Sequence, residues 1–432
     1  MEYRAPMTGA ARLVATLAVF VSMLVLVIVR PRRWNEACWT VLAAGVMLAL
    51  RLVAPHEAIG ATLAGKNALL FLLALLLLSL FVGKSGFFDW AAIQSARFAK
   101  GDARVLYRNA FVLGALVTFV LSLDTTAVIL TPVVIALVKR LKVPSAPYIV
   151  LCAFVANVGS LLLPISNLTN ILFASVFHLS FAGFALRMLA PQLAALGVTY
   201  ALLRWYFRAE LPRSFEVASL PDPESVIPSR SYFLTCVVVL GLVLVGYFVA
   251  PLFGVEAYVV AFAGSFALFA AGLVTGRVHP KALGELSWGV FPFVIGLFIA
   301  VRGLENLGVV ELCSRWLVRL GPGSVPQLFA SAGATALASN VTNNLPAALL
   351  ARSVLLGSHT PISAALAALI GADAGSIVTP FGSLATMLVL AIASQEGVPV
   401  PLGRVMLIAA LTALAVVLMG TLTLAVTLSV MP

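Results

Sequence analysis

ANVGSLLLPISNLTNIL (156–172) and ADAGSIVTPFGSLATML (372–388) are two similar stretches, and the prediction of the fold rests on them. They align without a gap at an offset of 216 residues, and six aligned positions are identical: Ala156/Ala372, Gly159/Gly375, Ser160/Ser376, Pro164/Pro380, Leu168/Leu384 and Leu172/Leu388. Two weaker matches occur upstream in the same order, DTTAVIL (124–130) with NLPAALL (344–350) and GKSGFFDW (83–90) with LENLGVVE (304–311). Matches in one order indicate a duplicated unit. We therefore predict a first repeat at 1–208, a linker at 209–231 and a second repeat at 232–432.

The composition around these stretches is that of a membrane protein. Of the 432 residues 62% are apolar and only 10% are charged, and the mean hydropathy is +1.10. A soluble domain carries about 25% charged residues, whereas a helix needs about 20 apolar residues to cross a bilayer. We predict an all-α polytopic membrane protein with apolar segments at 12–29, 35–53, 67–83, 146–163, 184–203, 232–250, 255–275, 284–301, 361–379 and 405–430.

Basic residues carry the information on orientation. The formal net charge of +11 is interpreted as membrane orientation rather than nucleic-acid binding, because Lys and Arg accumulate on the cytoplasmic side. Segment 12–29 is followed by basic residues and not by a small-residue cleavage site, so we expect a retained span. The four cysteines and four histidines are scattered, so no structural metal, disulfide framework or cofactor is expected.

Two pairs of short apolar segments predict re-entrant hairpins. Segments 109–123 and 125–138 have basic outer ends, at 104–108 and 139–142, so both ends are expected in the cytoplasm with Asp124 at the tip. The matching pair, 325–340 and 345–356, has Asn343 and Asn344 at its tip, and the loop after it (357–361) has no Lys or Arg. This asymmetry predicts that the second hairpin enters from the opposite side.

The remaining charges can be threaded consistently with an inverted second repeat. On the inside we place Arg30, Arg32, Arg33, the basic loop 84–108, residues 139–142, the linker, Arg277, Lys281 and Arg404. On the outside we place Arg4, Arg12, Arg51, Lys66, Arg187, Arg302, Arg315, Arg319 and Arg352. Each repeat then has five spans plus one hairpin. The linker contains four prolines, which favour a loop over a domain.

Inverted repeats with broken helices are typical of transporters. Irregular backbone survives in a membrane only where it lines a cavity, and Pro164 and Pro380 each break a helix at the duplicated stretch. Polar side chains recur around these breaks and the hairpin tips. We predict that the substrate-binding residues are among Thr125, Thr126, Asn157, Ser160, Asn167, Asn170, Asn340, Asn343, Asn344, Ser376, Ser383 and Thr386. The alternative for each is local: Ser and Thr bond their own helix, and Asn holds helices together.

Asp124 and Asp373 are the acidic residues deep within these apolar segments. A charge inside the bilayer costs several kcal/mol, so such residues are by default ion ligands or proton carriers. We predict that both couple transport to protons, and Asp124 is the preferred carrier. Pairing with an Arg, or capping of a helix N-terminus, is the alternative.

At these motifs the chain resembles the arsenite efflux permeases of the ArsB type, within the ion transporter superfamily. The resemblance covers about residues 60–430 and rests on KSGFFDWAA (84–92), DTTAVILTP (124–132), SNLTNI (166–171), SNVTNNLP (339–346) and DAGSIVTPFGSLAT (373–386). It implies two inverted repeats with re-entrant hairpins, in agreement with the charge pattern. The family has Asn before the hairpin Asp and Asp at the position of Asn157, so Leu123 and Asn157 are departures that bear on substrate and proton number.

The resemblance implies that the chain exports arsenite and antimonite across a bacterial inner membrane in exchange for protons. Both substrates are neutral hydroxides at neutral pH, which suits a site of Asn, Ser, Thr and backbone groups. A cytoplasmic ATPase subunit and a homodimer are partners that the sequence leaves open.

Three other functions are weighed against export of arsenite. A sodium- or proton-coupled anion transporter, or a sodium/proton antiporter of the same superfamily, shares the polar hairpin tips, although no Arg or Lys cluster at the tips would hold an anion. A channel needs no proton carrier. An integral membrane enzyme needs a metal cluster or a nucleophile–base pair, and no DxxxD, HxxxH or GxSxG pattern occurs.

Overall fold

The computed structural model describes residues 9–29, 34–358 and 360–430, and these ranges form helices joined by loops. The first repeat contains α1 (Gly9–Val29), α2 (Glu36–Ala49), α3 (Pro55–Ala64), α4 (Lys66–Lys84), α5 (Phe87–Phe98), α6 (Ala103–Val120), α7 (Leu123–Thr125), α8 (Thr131–Arg140), α9 (Ser145–Val158), α10 (Leu168–Val176) and α11 (Phe181–Tyr206). A π-helical segment, Thr126–Leu130, joins α7 to α8, and two 3₁₀ turns, Gly159–Leu161 and Pro164–Ser166, separate α9 from α10.

The predicted second repeat follows the linker. It contains α12 (Arg230–Val249), α13 (Ala257–Val274), α14 (Val290–Glu305), α15 (Val309–Arg319), α16 (Val325–Thr342), α17 (Asn344–Gly357), α18 (Ile362–Leu369), α19 (Leu384–Gln395) and α20 (Leu402–Val430). A π-helical segment, Ile370–Ala374, and a 3₁₀ turn, Gly375–Ile377, separate α18 from α19.

The helices confirm the prediction of an all-α polytopic membrane protein. Within the described ranges, eight helices are long and apolar enough to cross a membrane. The predicted apolar segments coincide with helices, but α6 is a correction. It begins at Ala103 and is 18 residues long, so it is long enough to cross a membrane, whereas the short apolar segment 109–123 predicts only one arm of a re-entrant hairpin. Its first turns are polar, which the apolar pattern does not count. Arg4, Arg30, Arg32 and Arg33, to which the threading assigns sides, lie outside the described residues.

Corresponding helices begin in the same way in both repeats. The turn after α4 ends at Gly86 (φ 79°), and the turn after α14 ends at Gly308 (φ 76°). Both glycines are in the left-handed region, which other L residues rarely adopt. Each precedes a short helix, α5 or α15, that leads into the first arm of a hairpin.

Contacts between the repeats exchange equivalent helices. Helix α4 packs on α13, α2 packs on α14, and α11 packs on α20. The end of α4 lies beside the segment that leads into α14, since Lys84 Nζ is 2.6 Å from Glu285 Oε2. The residue before α4, Gly65, lies against the ring of Phe298 in the second half of α14. The equivalent helices α4 and α14 therefore run in opposite directions; the inverted arrangement of whole repeats across a membrane stays a prediction.

The linker packs against the first repeat. The Phe215 N–H donates to Gly101 O at 2.9 Å. The Arg140 Nε–H, at the end of α8, donates to Ser219 O at 2.7 Å, and Arg97 of α5 donates to Pro221 O at 3.1 Å. The linker thus holds α5 and the outer end of the first hairpin together.

Candidate transport site

Each broken helix resumes at a polar cap. Asn167 precedes α10, and its Oδ1 accepts the Thr169 N–H at 3.4 Å. Ser383 precedes α19, and its Oγ accepts the Thr386 N–H at 3.3 Å. Side-chain acceptors satisfy the free N–H groups of a helix start. Because an N-terminus carries positive partial charge, α10 and α19 each present that end at a break.

Amide side chains satisfy the backbone groups that the first break leaves free. Gln192 of α11 donates to Val158 O at 2.8 Å and accepts the Leu161 N–H at 2.9 Å. Asn170 Nδ2 donates to Ser160 O at 2.6 Å and to Leu163 O at 3.1 Å. Buried backbone groups need such partners. Gln192 was missed by the sequence analysis, because a single Gln in a long apolar helix carries no local signal.

Asn340 of α16 has the corresponding role at the second break. Its Nδ2 donates to Gly375 O at 2.7 Å, and its Oδ1 accepts the Thr379 N–H at 3.0 Å. The broken segment lies directly on α16, since a Cβ on Gly371 would be 2.0 Å from Ala332 O. Glycine is therefore required at this contact, and Asn340 holds the break in place.

The two breaks meet and exchange hydrogen bonds. Asn157 Nδ2 of α9 donates to Thr386 Oγ1 of α19 at 3.0 Å. Thr169 Oγ1 of α10 donates to Asp373 Oδ1 at 2.7 Å. Asn157 and Asp373 are equivalent at the 216-residue offset. Each broken helix of one repeat is therefore bonded to the short helix that follows the break of the other.

Two serines complete this pattern within each repeat. Ser160 Oγ donates to Asn157 O at 2.7 Å, and Ser376 Oγ donates to Asp373 O at 2.8 Å. Both bonds are local, because each hydroxyl donates to a backbone carbonyl of its own broken helix, three residues earlier. This is the alternative that local bonding of Ser predicts.

Several buried polar atoms at the breaks have no hydrogen-bond partner among the described residues. They are Asn157 Oδ1, Asn167 Nδ2, Asn170 Oδ1 and Asp373 Oδ2. Buried polar atoms are nearly always bonded to protein, water or ligand. Asp373 is fully buried within the π-helical segment and pairs with no Arg in the described chain. The cap and ion-pair alternatives therefore do not apply to Asp373.

The tip of the first hairpin is formed by Ser122, whose Oγ accepts the Thr125 N–H at 3.3 Å. Thr125 Oγ1 lies 2.7 Å from Ser79 Oγ of α4, whereas Thr126 Oγ1 faces away and lies 2.8 Å from Thr118 Oγ1 of α6. Because Ser122 is the cap, Asp124 is not. Asp124 is in the first turn of α7, partly exposed, and has no hydrogen-bond or ion-pair partner in the described chain.

Asp124 faces a cavity of about 460 Å³. Thr125 and Ser79 line it, together with Leu384 and Leu388 of α19, and Glu285 lies at its rim. The first hairpin tip is therefore accessible from the end of the molecule where Lys84 and Glu285 lie.

The tip of the second hairpin is Asn343, which has φ 87°. Its Oδ1 accepts the Leu345 N–H at 3.3 Å, and its Nδ2 donates to Phe381 O at 3.0 Å. Ser122 and Asn343 are thus equivalent caps, at an offset of 221 residues. The pairing of Asp124 with Asn344 is wrong by one residue, because Asp124 lies two positions after its cap and Leu345 two after Asn343. Asn344 is buried in the first turn of α17.

Most of the predicted residues fall into two groups; the exceptions are Thr126, which bonds Thr118 of α6, and Asn344, which is buried in the first turn of α17. The breaks bring together Asp373 and the polar residues Asn157, Ser160, Asn167, Asn170, Asn340, Asn343, Ser376, Ser383 and Thr386. Asp124 and Thr125 lie at the first hairpin tip. Helix α19 joins the groups, because its start bears Ser383 and Thr386 and its next turns line the Asp124 cavity. One cavity shared by all of them stays a prediction.

The opposite end of the molecule has a larger cavity, about 880 Å³, which extends to Leu349 of α17 but is not lined by Asn343. Arg302 joins two carboxylates there: it donates to Glu57 Oε1 at 3.1 Å and to Glu305 Oε2 at 3.0 Å. Glu57 also accepts the Ala54 N–H and the Asn306 amide, and these bonds with that of Arg302 lower its pKa. This network was not predicted from the sequence.

A signal for the network was present in the aligned stretches GKSGFFDW and LENLGVVE, where Lys84 corresponds to Glu305. Lys84 bonds Glu285, which precedes α14, and Glu305 shares Arg302 with Glu57, which precedes α4. Lys84 and Glu305, which occupy the same position in the two repeats, thus each take part in a contact between the repeats. At one end of the molecule the contact is the Lys84–Glu285 ion pair, and at the other end Arg302 bridges the carboxylates of Glu57 and Glu305.

A model of the family described as "Arsenical pump membrane protein" matches residues 15–428. The chain belongs to the arsenical pump membrane protein family. The "Arsenical pump membrane protein" of Escherichia coli (strain K12) is 33% identical over 407 residues, which cover 89% of this chain and 92% of the relative. The protein of the same name from Yersinia enterocolitica is 35% identical over 346 residues, 78% of this chain and 81% of the relative.

A solved structure shares the fold. The YdaH transporter of Alcanivorax borkumensis, whose crystal structure is described as having an unusual topology, superposes with a TM-score of 0.56 over 98% of each chain at 17% identity. The arsenical pump family member described here is thus a multi-pass membrane transporter and not an enzyme, as predicted, and the bacterial relatives agree with an inner-membrane location.

Proposed function

We propose that the chain exports arsenite and antimonite from the cytoplasm in exchange for protons. The observation that carries the proposal is the pair of carboxylates without a basic partner: Asp124 faces a cavity, and Asp373 keeps one buried oxygen without a hydrogen bond. A carboxylate held inside a membrane protein without a counter-ion favours uptake of a proton, because burial disfavours the charged form. The names of the relatives support the substrate.

The groups at the breaks suit a neutral hydroxide. Asn157 Oδ1 and Asn170 Oδ1 are acceptors without a partner, and Asn167 Nδ2 is a donor without a partner among the described residues. A trihydroxide both donates and accepts hydrogen bonds, so this mixed set fits it. The residues around the breaks and tips include no Lys or Arg, which a charged oxyanion would need.

The exchange is proposed to work through the contact between the repeats. When Asp124 takes a proton, its charge is lost at the mouth of the cavity and the first hairpin can close toward α19. The Thr169–Asp373 bond and the Asn157–Thr386 bond cross the interface between repeats, so a movement of one repeat against the other changes both. Release of the proton on the cytoplasmic side and of the metalloid outside completes one cycle. We propose inverted repeats as the scaffold for this movement.

Arsenite uptake into everted membrane vesicles tests this function. Vesicles containing the protein should accumulate arsenite when the lumen is made acidic, and vesicles without it should not. The same vesicles given a sodium gradient at equal pH should show no accumulation. Accumulation driven by sodium alone would replace the proposal by a sodium-coupled transporter of the same superfamily, and absence of any metalloid movement would reject the substrate.

A further inference from the structure

Three arginines surround a cavity at the end of α11 that the transport cycle does not use. The cavity has a volume of about 390 Å³ and is lined by Arg104 of α6, by Arg204 of α11, by Arg208 just after α11, and by Ala201, Trp205 and Leu211. A volume of this size accommodates a phosphate headgroup. No acidic residue lines it, so three like charges face one space.

The nearby carboxylates are occupied elsewhere. Asp102 Oδ1 caps α6 and accepts the Arg104 and Val105 N–H groups at 2.7 and 3.2 Å. Glu210 Oε1 accepts from Arg404 at 3.0 Å. In the part of the chain that the structure describes, the three guanidinium groups have no hydrogen-bond or ion-pair partner, although Arg208 lies 5.8 Å from the centre of the Trp205 ring. The repulsion between the three arginines is therefore not offset by a neighbouring carboxylate, and a bound anion would reduce it.

Exposed apolar side chains continue from these arginines along α6 and α11. Val112 on α6 and Leu193 on α11 are exposed, and the two helices meet where the Phe111 and Tyr200 rings are 5.3 Å apart. Gly197 lies between Leu193 and the arginines along α11, and the space beside its Cα is open. An acyl chain can therefore lie along these apolar side chains while the headgroup reaches the arginines.

We propose that this cavity binds the phosphate of an anionic phospholipid whose acyl chain lies along the exposed apolar side chains of α6 and α11. Arg is suited to phosphate because its planar donors match phosphate oxygens. Basic pockets between helices at a membrane surface are known to take anionic headgroups, and an exposed Trp such as Trp205 is typical of the interface. The lipid would steady α6, the arm that leads to the Ser122 tip.

Native mass spectrometry of the purified full chain with equal amounts of phosphatidylglycerol and phosphatidylcholine tests the site. The wild type should retain phosphatidylglycerol about tenfold more than phosphatidylcholine. The triple variant R104Q/R204Q/R208Q should retain both equally. The charge-matched control R213Q/R230Q/R277Q, which alters exposed arginines elsewhere, should behave as the wild type. Equal retention by the wild type, or unchanged preference in the triple variant, would overturn the proposal.

Two further arms keep the result decisive. Inorganic phosphate in millimolar excess should leave the bound phosphatidylglycerol in place; displacement would identify a site for free phosphate instead. In vesicles, phosphatidylglycerol with brominated acyl chains should quench tryptophan fluorescence more than brominated phosphatidylcholine, and Trp205→Phe should remove that excess. This comparison needs no arginine variant, so it stands even if the triple variant does not fold. An excess that persists in Trp205→Phe would contradict the location.

Discussion

The two repeats differ in whether the acidic residue and the π-helical turn lie in the hairpin or in the helix break. In the first repeat the π segment Thr126–Leu130 is in the hairpin, directly after Asp124, and the break carries the neutral Asn157. In the second repeat the π segment Ile370–Ala374 is in the break and contains Asp373, and the hairpin tip carries the neutral Asn343. The caps and the crossed hydrogen bonds are otherwise alike.

The difference shows that similar helices and caps can hold two acidic residues in different surroundings. A π turn adds one residue and disturbs the regular backbone hydrogen bonds, and such turns are frequent at functional sites. In both repeats an acidic residue lies next to or within the π turn, because Asp124 precedes Thr126–Leu130 and Asp373 lies within Ile370–Ala374. Asp124 is open to a cavity and Asp373 is bonded to the other repeat. We therefore expect the two acids to have separable roles.

The largest effect is expected from Asp124→Asn, which preserves shape but cannot titrate. Proton-driven accumulation of arsenite in everted vesicles should fall to the background of empty vesicles, while arsenite binding by the purified protein is retained. Asp222→Asn in the linker is the control and should transport normally. If Asp124→Asn still builds an arsenite gradient from an imposed pH gradient, Asp124 is not the proton carrier. Loss of binding together with transport would instead indicate a ligand.

Asp373→Asn makes the second break like the first, because Asn is the residue that the first repeat already has at this position. We expect export to fall by at least about tenfold, since the buried acid is lost from the interface between the repeats. The double variant N157D/D373N moves the acid to the other break, where Thr386 Oγ1 can donate to it. It should recover part of the activity. No recovery, with a normally folded protein, would mean that the acid and its π turn cannot be separated.

The two crossed bonds should differ in strength. A hydrogen bond to a charged group contributes about 1.5–3 kcal/mol and one between neutral groups about 1 kcal/mol. Thr169→Val, which removes the donor to Asp373, should therefore reduce the export rate more than Thr386→Val, which removes the acceptor of Asn157. We expect the rate to fall by at least about tenfold in Thr169→Val and by about fivefold in Thr386→Val. Equal losses in initial rates of arsenite uptake would show that Asp373 does not hold a charge during this step.

The smallest effect concerns the network around Arg302 at the far mouth. The pKa of Glu57 is lowered in the folded protein, chiefly by the Ala54 N–H and further by Asn306 and Arg302. Its contribution to stability is therefore complete above the usual pKa of Glu and is lost as pH falls through the lowered value. The difference in melting temperature between the wild type and Glu57→Gln should be constant from pH 7 to about 5 and shrink below about 4. The effect is expected to be small, because a partly exposed ion pair contributes about 0.2–1 kcal/mol to stability. A melting-temperature difference that grows on acidification would contradict this prediction.

Much of the fold followed from local sequence properties. Runs of apolar residues predicted the helices, and the 216-residue offset located both breaks, because Gly, Pro and the caps Asn167 and Ser383 act on their own segment of backbone. The prediction put Asp124 at the tip of the first hairpin, whereas the helix that follows the tip is capped by Ser122, two residues earlier. The pattern of Ser122 followed three residues later by Thr125 was available as a cap signal.

The residues that were missed act at long range. Gln192 serves the first break from more than 30 positions away in the chain, and Glu57 reaches Arg302 across 245 positions. No local pattern marks such contacts, because they depend on how α11 and α3 pack. The roles of Asp124 and Asp373 as coupling residues stay predictions, because coupling depends on movement between the repeats and not on a local sequence pattern.

Proton movement driven by an arsenite gradient tests most directly whether metalloid and protons exchange in one cycle. Proteoliposomes with the purified protein are loaded with arsenite and a lumenal pH indicator, without sodium, and diluted into arsenite-free buffer of the same pH. We predict that arsenite leaving down its gradient draws protons in, so that the lumen acidifies with the wild type and stays at its initial pH with Asp124→Asn. Arsenite efflux through the wild type with no change in lumenal pH would contradict the account.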